Sequence, residues 1–252
     1  MESVNIVCMK WGTKYGPEYV NILYNMVKRN ITLPFRFICF TEIYDGIKNE
    51  VEIKPLPDFK EPTGLAAIYC QAWRKLALFD RELFDLKGKL LFLDLDVVIV
   101  DNIDCFFNYS EKLAIIENWS QPGRLIGQAS AFCFEIGKYY RLLEKYQEHQ
   151  DDVLKNNRTE QFYITRELGK GNFDFFPEDW CKSFKMHCLP GGILNSFLAP
   201  TKIPKNAKII VFHGSPNPPE ALAGIWGTQH VPWYKKFYKT VKPTKWLADY
   251  WY

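Results

Sequence analysis

Asp94 and Asp96 stand one residue apart inside GKLLFLDLDVVIVD, a run otherwise made almost wholly of Leu, Ile, Val and Phe. A carboxylate without a partner in such surroundings costs several kcal/mol or gives up its charge. Strand alternation would point both acids to one side, with Leu95 opposite. Two oxygen donors so placed suit a Mg²⁺ or Mn²⁺ that keeps water and phosphate oxygens as its other ligands. From these residues alone three readings stay open. The pair holds a metal; or Asp94 is a phosphatase nucleophile with Asp96 as its acid/base; or one Asp caps a turn while the other meets a basic partner.

Two further features bear on the choice. His213, in KIIVFHG, falls just past another apolar strand, where an imidazole can add a metal ligand. Arg74 and Lys75 lie in AWRKLALF, ahead of the acidic run. They sit on a solvated face, or they balance a diphosphate.

The surrounding pattern alternates strand and helix. VNIVCMK, FRFICF, VEIKPL and the long KLLFLDLDVVIV read as strands, followed by KLAIIE, ASAFCFEI and AKIIVFHG. PEYVNILYNMVKRN opens with Pro17 and an acid and closes with Lys28 and Arg29, which marks both ends of a helix. LAAIYCQAWRKLALFD, GKYYRLLEKYQEHQDDVL and TEQFYITREL also carry helical periodicity. Residues 173–207, rich in Pro, Gly and aromatics, read as irregular with short strands at most. The expectation is one α/β domain with a mixed, mainly parallel central sheet flanked by helices, irregular toward its C-terminal part.

Composition narrows the class. The chain has 252 residues, 47% hydrophobic and 16% aromatic, enough for a sizeable core. A net charge of +3 gives no argument for nucleic acid as a partner. Seven scattered cysteines, several inside apolar runs, form no zinc or disulfide framework and suit a reducing, cytoplasmic setting. MESVNIVCMK shows no signal-peptide pattern, and no apolar run approaches the ~20 residues of a spanning helix.

Taken in order, these motifs resemble a GT-A-fold (Rossmann-like) glycosyltransferase of the group that holds glycogenin and the bacterial lipopolysaccharide galactosyl- and glucosyltransferases. The Asp-x-Asp of LLFLDLDVVIV, Arg74 before it, the late His-Gly of FHGSPNP and the acid-Gln pair Glu160–Gln161 in RTEQFYI carry the resemblance, from about Val4 to about Trp226. It implies a metal-dependent enzyme moving a hexose from a nucleotide sugar, UDP-linked, to a glycan or glycolipid, with retention. It further implies Mn²⁺ or Mg²⁺ on Asp94, Asp96 and His213, and Glu160 and Gln161 as the catalytic pair. The donor would meet Tyr15, Lys10, Thr41, Arg74, Asp94, Leu95, Ser130 and Gly214.

Two departures stand out. Where the group has a lysine after His-Gly, this chain has Asn217, so charge compensation would fall to Arg74, Lys75, Lys10 or Lys14. Where the group has Asn-x-Gly near the donor sugar, QASAF offers Gln128 and Ser130.

FLDLDVV also resembles the nucleophile strand of haloacid-dehalogenase-type phosphatases. That motif normally opens its domain, whereas some ninety residues precede it here. A non-catalytic nucleotide-sugar binder on the same fold is the third class. The glycosyltransferase reading places the GT-A domain at residues 1–230 and a basic, aromatic tail at 231–252. That tail carries five lysines among eight aromatics, a composition that favours peripheral contact with a membrane face.

Overall fold

The apolar run that carries the two acids is not one strand. In the computed structural model, which describes residues 3–63, 71–200, 203–227 and 239–252, the first three strands β1 (Val4–Lys10), β2 (Phe35–Thr41) and β3 (Glu52–Lys54) are followed by β4 (Lys89–Leu93) and β5 (Val97–Ile99), with a turn at Leu95 and Asp96 between the last two. β4 and β5 belong to different sheets. The expected alternation of Asp94 and Asp96 along a single strand is therefore corrected: the chain leaves one sheet after Leu93 and enters another at Val97.

Further along come β6 (Leu113–Glu117), β7 (Gly127–Glu135), β8 (Phe173–Phe175), β9 (Cys181–Ser183) and β10 (Ile209–Val211). Two compact units are interleaved. Met1–Tyr15, Leu33–Asp94 and Asp104–Phe176 form the first; Gly16–Thr32, Leu95–Ile103 and Pro177–Tyr252 form the second.

The first unit holds a seven-stranded sheet in the order β3-β2-β1-β4-β7-β6-β8. Its neighbours pair in parallel except at β7, which runs antiparallel to both β4 and β6. The mainly parallel sheet is as expected, and six of the seven residues of β1 are buried, as a strand covered on both faces requires. The sequence periodicity of 65–80 predicts an α-helix; its described half, Gln71–Phe79, is instead a 3₁₀ segment. Trp73 on that segment is buried against Tyr146 and Tyr163, with ring centroids 5.4 and 5.7 Å away. Tyr146 lies on the Arg141–Glu148 helix and Tyr163 on the Glu160–Leu168 helix. One aromatic cluster thus fixes the elements that carry Lys75 and Glu160.

The second unit has a three-stranded sheet, β5-β10-β9, with β10 antiparallel to β5 and parallel to β9. The Pro17–Arg29 helix buries Val20, Leu23, Tyr24, Met26 and Val27. Residues 239–252 pack within this unit. Leu247 is fully buried, Trp251 meets the edge of Tyr19 at 5.4 Å, and the Arg29 guanidinium donates to the carbonyls of Tyr250 and Tyr252 at 2.6 and 3.0 Å. The exposed Lys242 and Lys245 stay in water. The expected boundary between residues 230 and 231 falls outside the described residues, as do residues 231–238 of the expected tail. Among the described residues no helix is long and apolar enough to cross a membrane, and the six described cysteines are free thiols.

Gly224 closes the Pro218–Ala223 helix with φ +76°, and a Cβ there would stand 2.6 Å from Cδ of Pro243 and 2.9 Å from its nitrogen. Strain and contact both act against a side chain, so Gly224→Ala is expected to lower stability by about 2 kcal/mol or more in urea unfolding.

Candidate functional site

In open α/β sheets ligands gather at the carboxyl ends of the strands, beside the point where strand order reverses. Here the order runs β3-β2-β1 and then turns to β4, so that point lies between β1 and β4. Lys10 ends β1, Thr41 ends β2 directly opposite it, and Asp94 follows the last residue of β4. Sheet topology brings these three expected donor residues to one edge of the first unit.

Asp94 is anchored twice. Its backbone N–H donates to the Ser130 carbonyl at 2.9 Å, continuing the β4–β7 pairing. Its carboxylate receives the Lys75 ammonium, 2.7 Å from Oδ1 and 2.8 Å from Oδ2. Lys75 is only 6% exposed and also donates to the Ala129 carbonyl at 2.9 Å. The basic partner that offsets burial of Asp94 is therefore Lys75, which the sequence reading had considered for a diphosphate. Arg74 is likewise engaged, in an ion pair with Glu61.

β7 and the Glu160–Leu168 helix complete this part of the site. The Thr159 hydroxyl caps the helix by accepting from the Phe162 N–H, and Glu160 opens the first turn, where a negative charge meets the helix dipole. Gln161 accepts from the Ala129 N–H through Oε1 at 3.2 Å, leaving its amide N–H groups to donate. Gln128 holds Ser130 through both side-chain ends, at 2.7 and 3.0 Å. Burial raises the Glu160 carboxyl above its ordinary range; the Lys75 charge opposes that rise and Asp94 adds to it. Lys10 and Thr41 are buried, and the Thr41 hydroxyl is occupied in a turn with the Ile43 backbone. Tyr15 is half-buried, with the Lys14 ammonium 4.5 Å from its ring centroid.

The remaining expected residues, Leu95, Asp96, His213 and Gly214, belong to the second unit. Val97 opens β5 and pairs with Val211 at the end of β10, so Asp96 and His213 lie at the same end of the small sheet. Ser183, opposite Val211 at the end of β9, lies there too and shares a 2.7 Å hydrogen bond with Nε2 of His213. Burial, with the nearby Lys185 and His187, pushes the His213 imidazole down to about 4, so it is neutral at pH 7. Asp96 is buried, and its charge helps burial raise the Tyr19 hydroxyl to about 12.

Asn217 caps the Pro218–Ala223 helix in a reciprocal box with Glu220, a structural role. The cation beside the His-Gly turn is Lys185, whose Nζ stands 3.5 Å from where Gly214 would carry a Cβ. Neither Ser183 nor Lys185 was legible in the sequence, since each lies about thirty residues before its contact and in no motif.

Two carboxylates and a neutral imidazole are oxygen and nitrogen donors suited to Mn²⁺ or Mg²⁺. Among the described residues, no group of three or more His, Cys, Asp or Glu side chains comes together that could hold an ion. The donor chemistry of Asp94, Asp96 and His213 thus fits a divalent metal, while their joint assembly belongs to the proposal below.

Removing the Lys75 charge strands Asp94 in a largely buried position. Lys75→Met should therefore cost about 3 kcal/mol in denaturant unfolding. Glu160 carries the opposite sign. A carboxyl raised in the folded state gives stability that is full below its unfolded value of 4.5 and lost as pH rises through the folded value. Glu160→Gln should accordingly raise Tm above pH 4.5, with a gain that shrinks toward zero below it.

The fold matches two solved structures of the galactosyltransferase LgtC. One, in complex with donor and acceptor sugar analogs, gives a TM-score of 0.59 at 14% identity, over 92% of this chain and 99% of that one. The other, an active-site mutant with glutamate in place of a glutamine, gives 0.55 at 15% identity, over 96% and 99%. No protein-family profile matches the sequence, and no curated protein is significantly similar to it. The chain has the mixed α/β GT-A fold that LgtC has.

Proposed function

We propose that the chain is a metal-dependent glycosyltransferase that moves a hexose from a UDP-linked donor to a glycan or glycolipid acceptor, with retention. The observation that carries this reading is the placement of Lys10 and Asp94 at strand ends, with the buried Glu160 and its neighbour Gln161 opening the helix beside β7, in a fold shared with a galactosyltransferase. LgtC has been crystallised with donor and acceptor sugar analogs. That precedent makes a nucleotide sugar the first donor to try.

Glycosyl transfer needs the departing nucleoside diphosphate to be stabilised as its charge grows. A Mn²⁺ or Mg²⁺ bound by Asp94, Asp96 and His213 would supply Lewis-acid neutralisation of that charge. Lys10, Lys14 and Lys185 would then meet the diphosphate, because Arg74 and Lys75 are held by Glu61 and Asp94. Glu160 would accept hydrogen bonds from donor hydroxyls, and Gln161 would donate to the sugar near its anomeric carbon. Tyr15 would pack on the base, with Thr41, Leu95, Ser130 and Gly214 shaping the donor pocket. Exposed lysines of the C-terminal residues would bring the enzyme to a membrane face carrying its acceptor.

The phosphatase reading has lost its support. Three strands of the same sheet precede Asp94, whereas that nucleophile strand opens its domain, and the fold is the one a galactosyltransferase has.

Calorimetry with UDP-sugars, with and without Mn²⁺, tests the proposal directly. Donor binding is expected only with metal and is expected to vanish in Asp96→Ala. Undiminished binding in that variant would remove the metal assignment, and binding without turnover would leave a non-catalytic nucleotide-sugar module.

A further inference from the structure

The second unit exposes an unusual turn. Within six residues Ile193, Leu194, Phe197 and Leu198 are 60%, 48%, 71% and 52% exposed. The turn that presents them is held in place. Asn195 is buried and accepts from the Gly191 N–H at 2.8 Å, and the N–H groups of Phe197 and Leu198 close on the Leu194 carbonyl at 3.0 and 2.8 Å. The Ser196 hydroxyl pairs with that of Thr240 at 3.0 Å, which brings the turn beside Lys239 and the exposed Lys242. A cluster of large apolar side chains kept in water by a fixed backbone marks an interaction surface.

Charge identifies what it meets. Residues 180–248 hold ten lysines, no arginine and one acid, Glu220, in a chain whose whole net charge is +3. Glu220 is engaged in the cap with Asn217. Lys182 and Lys208 have carboxylate partners, whereas no ion pair engages Lys239 or Lys242 among the described residues.

We propose that the Ile193–Leu198 turn inserts its apolar side chains into an anionic phospholipid surface, with Lys239 and Lys242 meeting the headgroups. Aliphatic and phenyl side chains fit the acyl boundary, and lysines beside them add electrostatic attraction. A second copy of the chain would bring another lysine-rich, acid-poor face against this one, a like-charge contact. Nucleic acid would leave the four apolar side chains without a hydrocarbon layer to enter. The surface extends the membrane contact proposed above from the C-terminal lysines to the Ile193–Leu198 turn. It stands whether or not the chain transfers a sugar.

Sedimentation of the full chain with vesicles tests this, using phosphatidylcholine alone and phosphatidylcholine mixed with phosphatidylglycerol. Binding should be at least about tenfold tighter to the anionic vesicles and should weaken with salt. Phe197→Ser/Leu198→Ser should lower that affinity about tenfold with Tm unchanged. Lys239→Glu/Lys242→Glu should abolish the preference for anionic lipid. Absence of wild-type binding, or full binding by the Phe197/Leu198 variant, overturns the proposal. So does a concentration-dependent dimer that the same variant dissolves, since the occupant is then a second copy. Metal-dependent donor binding is read separately in calorimetry, so either result leaves the other standing.

Discussion

The ion pair between Lys75 and Asp94 is the constraint around which the first unit is arranged. Asp94 arrives at the end of a buried strand, and its carboxylate is tolerable only because an ammonium reaches both of its oxygens. That ammonium is in turn buried, so its own place must be secured. Trp73, two residues before it, is packed between Tyr146 and Tyr163, and the Ala129 carbonyl takes a further Lys75 hydrogen bond. An interior ion pair of this kind roughly breaks even against a well-packed apolar pair, so stability alone is a weak reason to keep it. Its consequence is positional: β4, β7, the 3₁₀ segment and the Glu160–Leu168 helix all converge on it.

Glu160 shows the same priority of placement over stability. Burial acts against its charge, and the Asp94 carboxylate makes the site less favourable still. Lys75 and the helix start soften that penalty without removing it. Acids held in this way are concentrated at sites that bind or react. The second unit provides a parallel case in His213, kept neutral by burial and by the nearby Lys185 ammonium, with its Nε2 engaged by Ser183. A neutral imidazole keeps the lone pair that coordination requires.

The charge distribution divides along the same line as the fold. Ion pairs such as Arg36–Glu52, Arg36–Asp85 and Lys54–Asp85 neutralise the surface of the first unit. The stretch 180–248 has almost no acid to do so. Among its described aromatics, Phe184 and Phe212 are buried and stacked at 4.3 Å. Lys205, Lys242, Lys245 and the Ile193–Leu198 turn are among what it leaves facing water.

The sequence by itself determined the strands, the mainly parallel sheet and the residues worth watching, because apolar periodicity and caps are local signals. β1, β2, β6, the Pro17–Arg29 helix and the Thr159-capped helix all fall where their patterns place them. It also pointed to Asp94 as an acid inside an apolar run, and to Glu160 and Gln161 through the resemblance to the glycosyltransferase group. Tertiary structure alone decided who meets whom. The break between β4 and β5 was hidden because both halves are equally apolar, and only pairing partners reveal that they enter different sheets. Lys75 and Arg74 are adjacent in sequence, yet one is committed to Asp94 and the other to Glu61. Ser183 and Lys185 reach the His213–Gly214 turn across about thirty residues. Contacts of that range are set by the close packing of side chains in three dimensions, which no local pattern encodes.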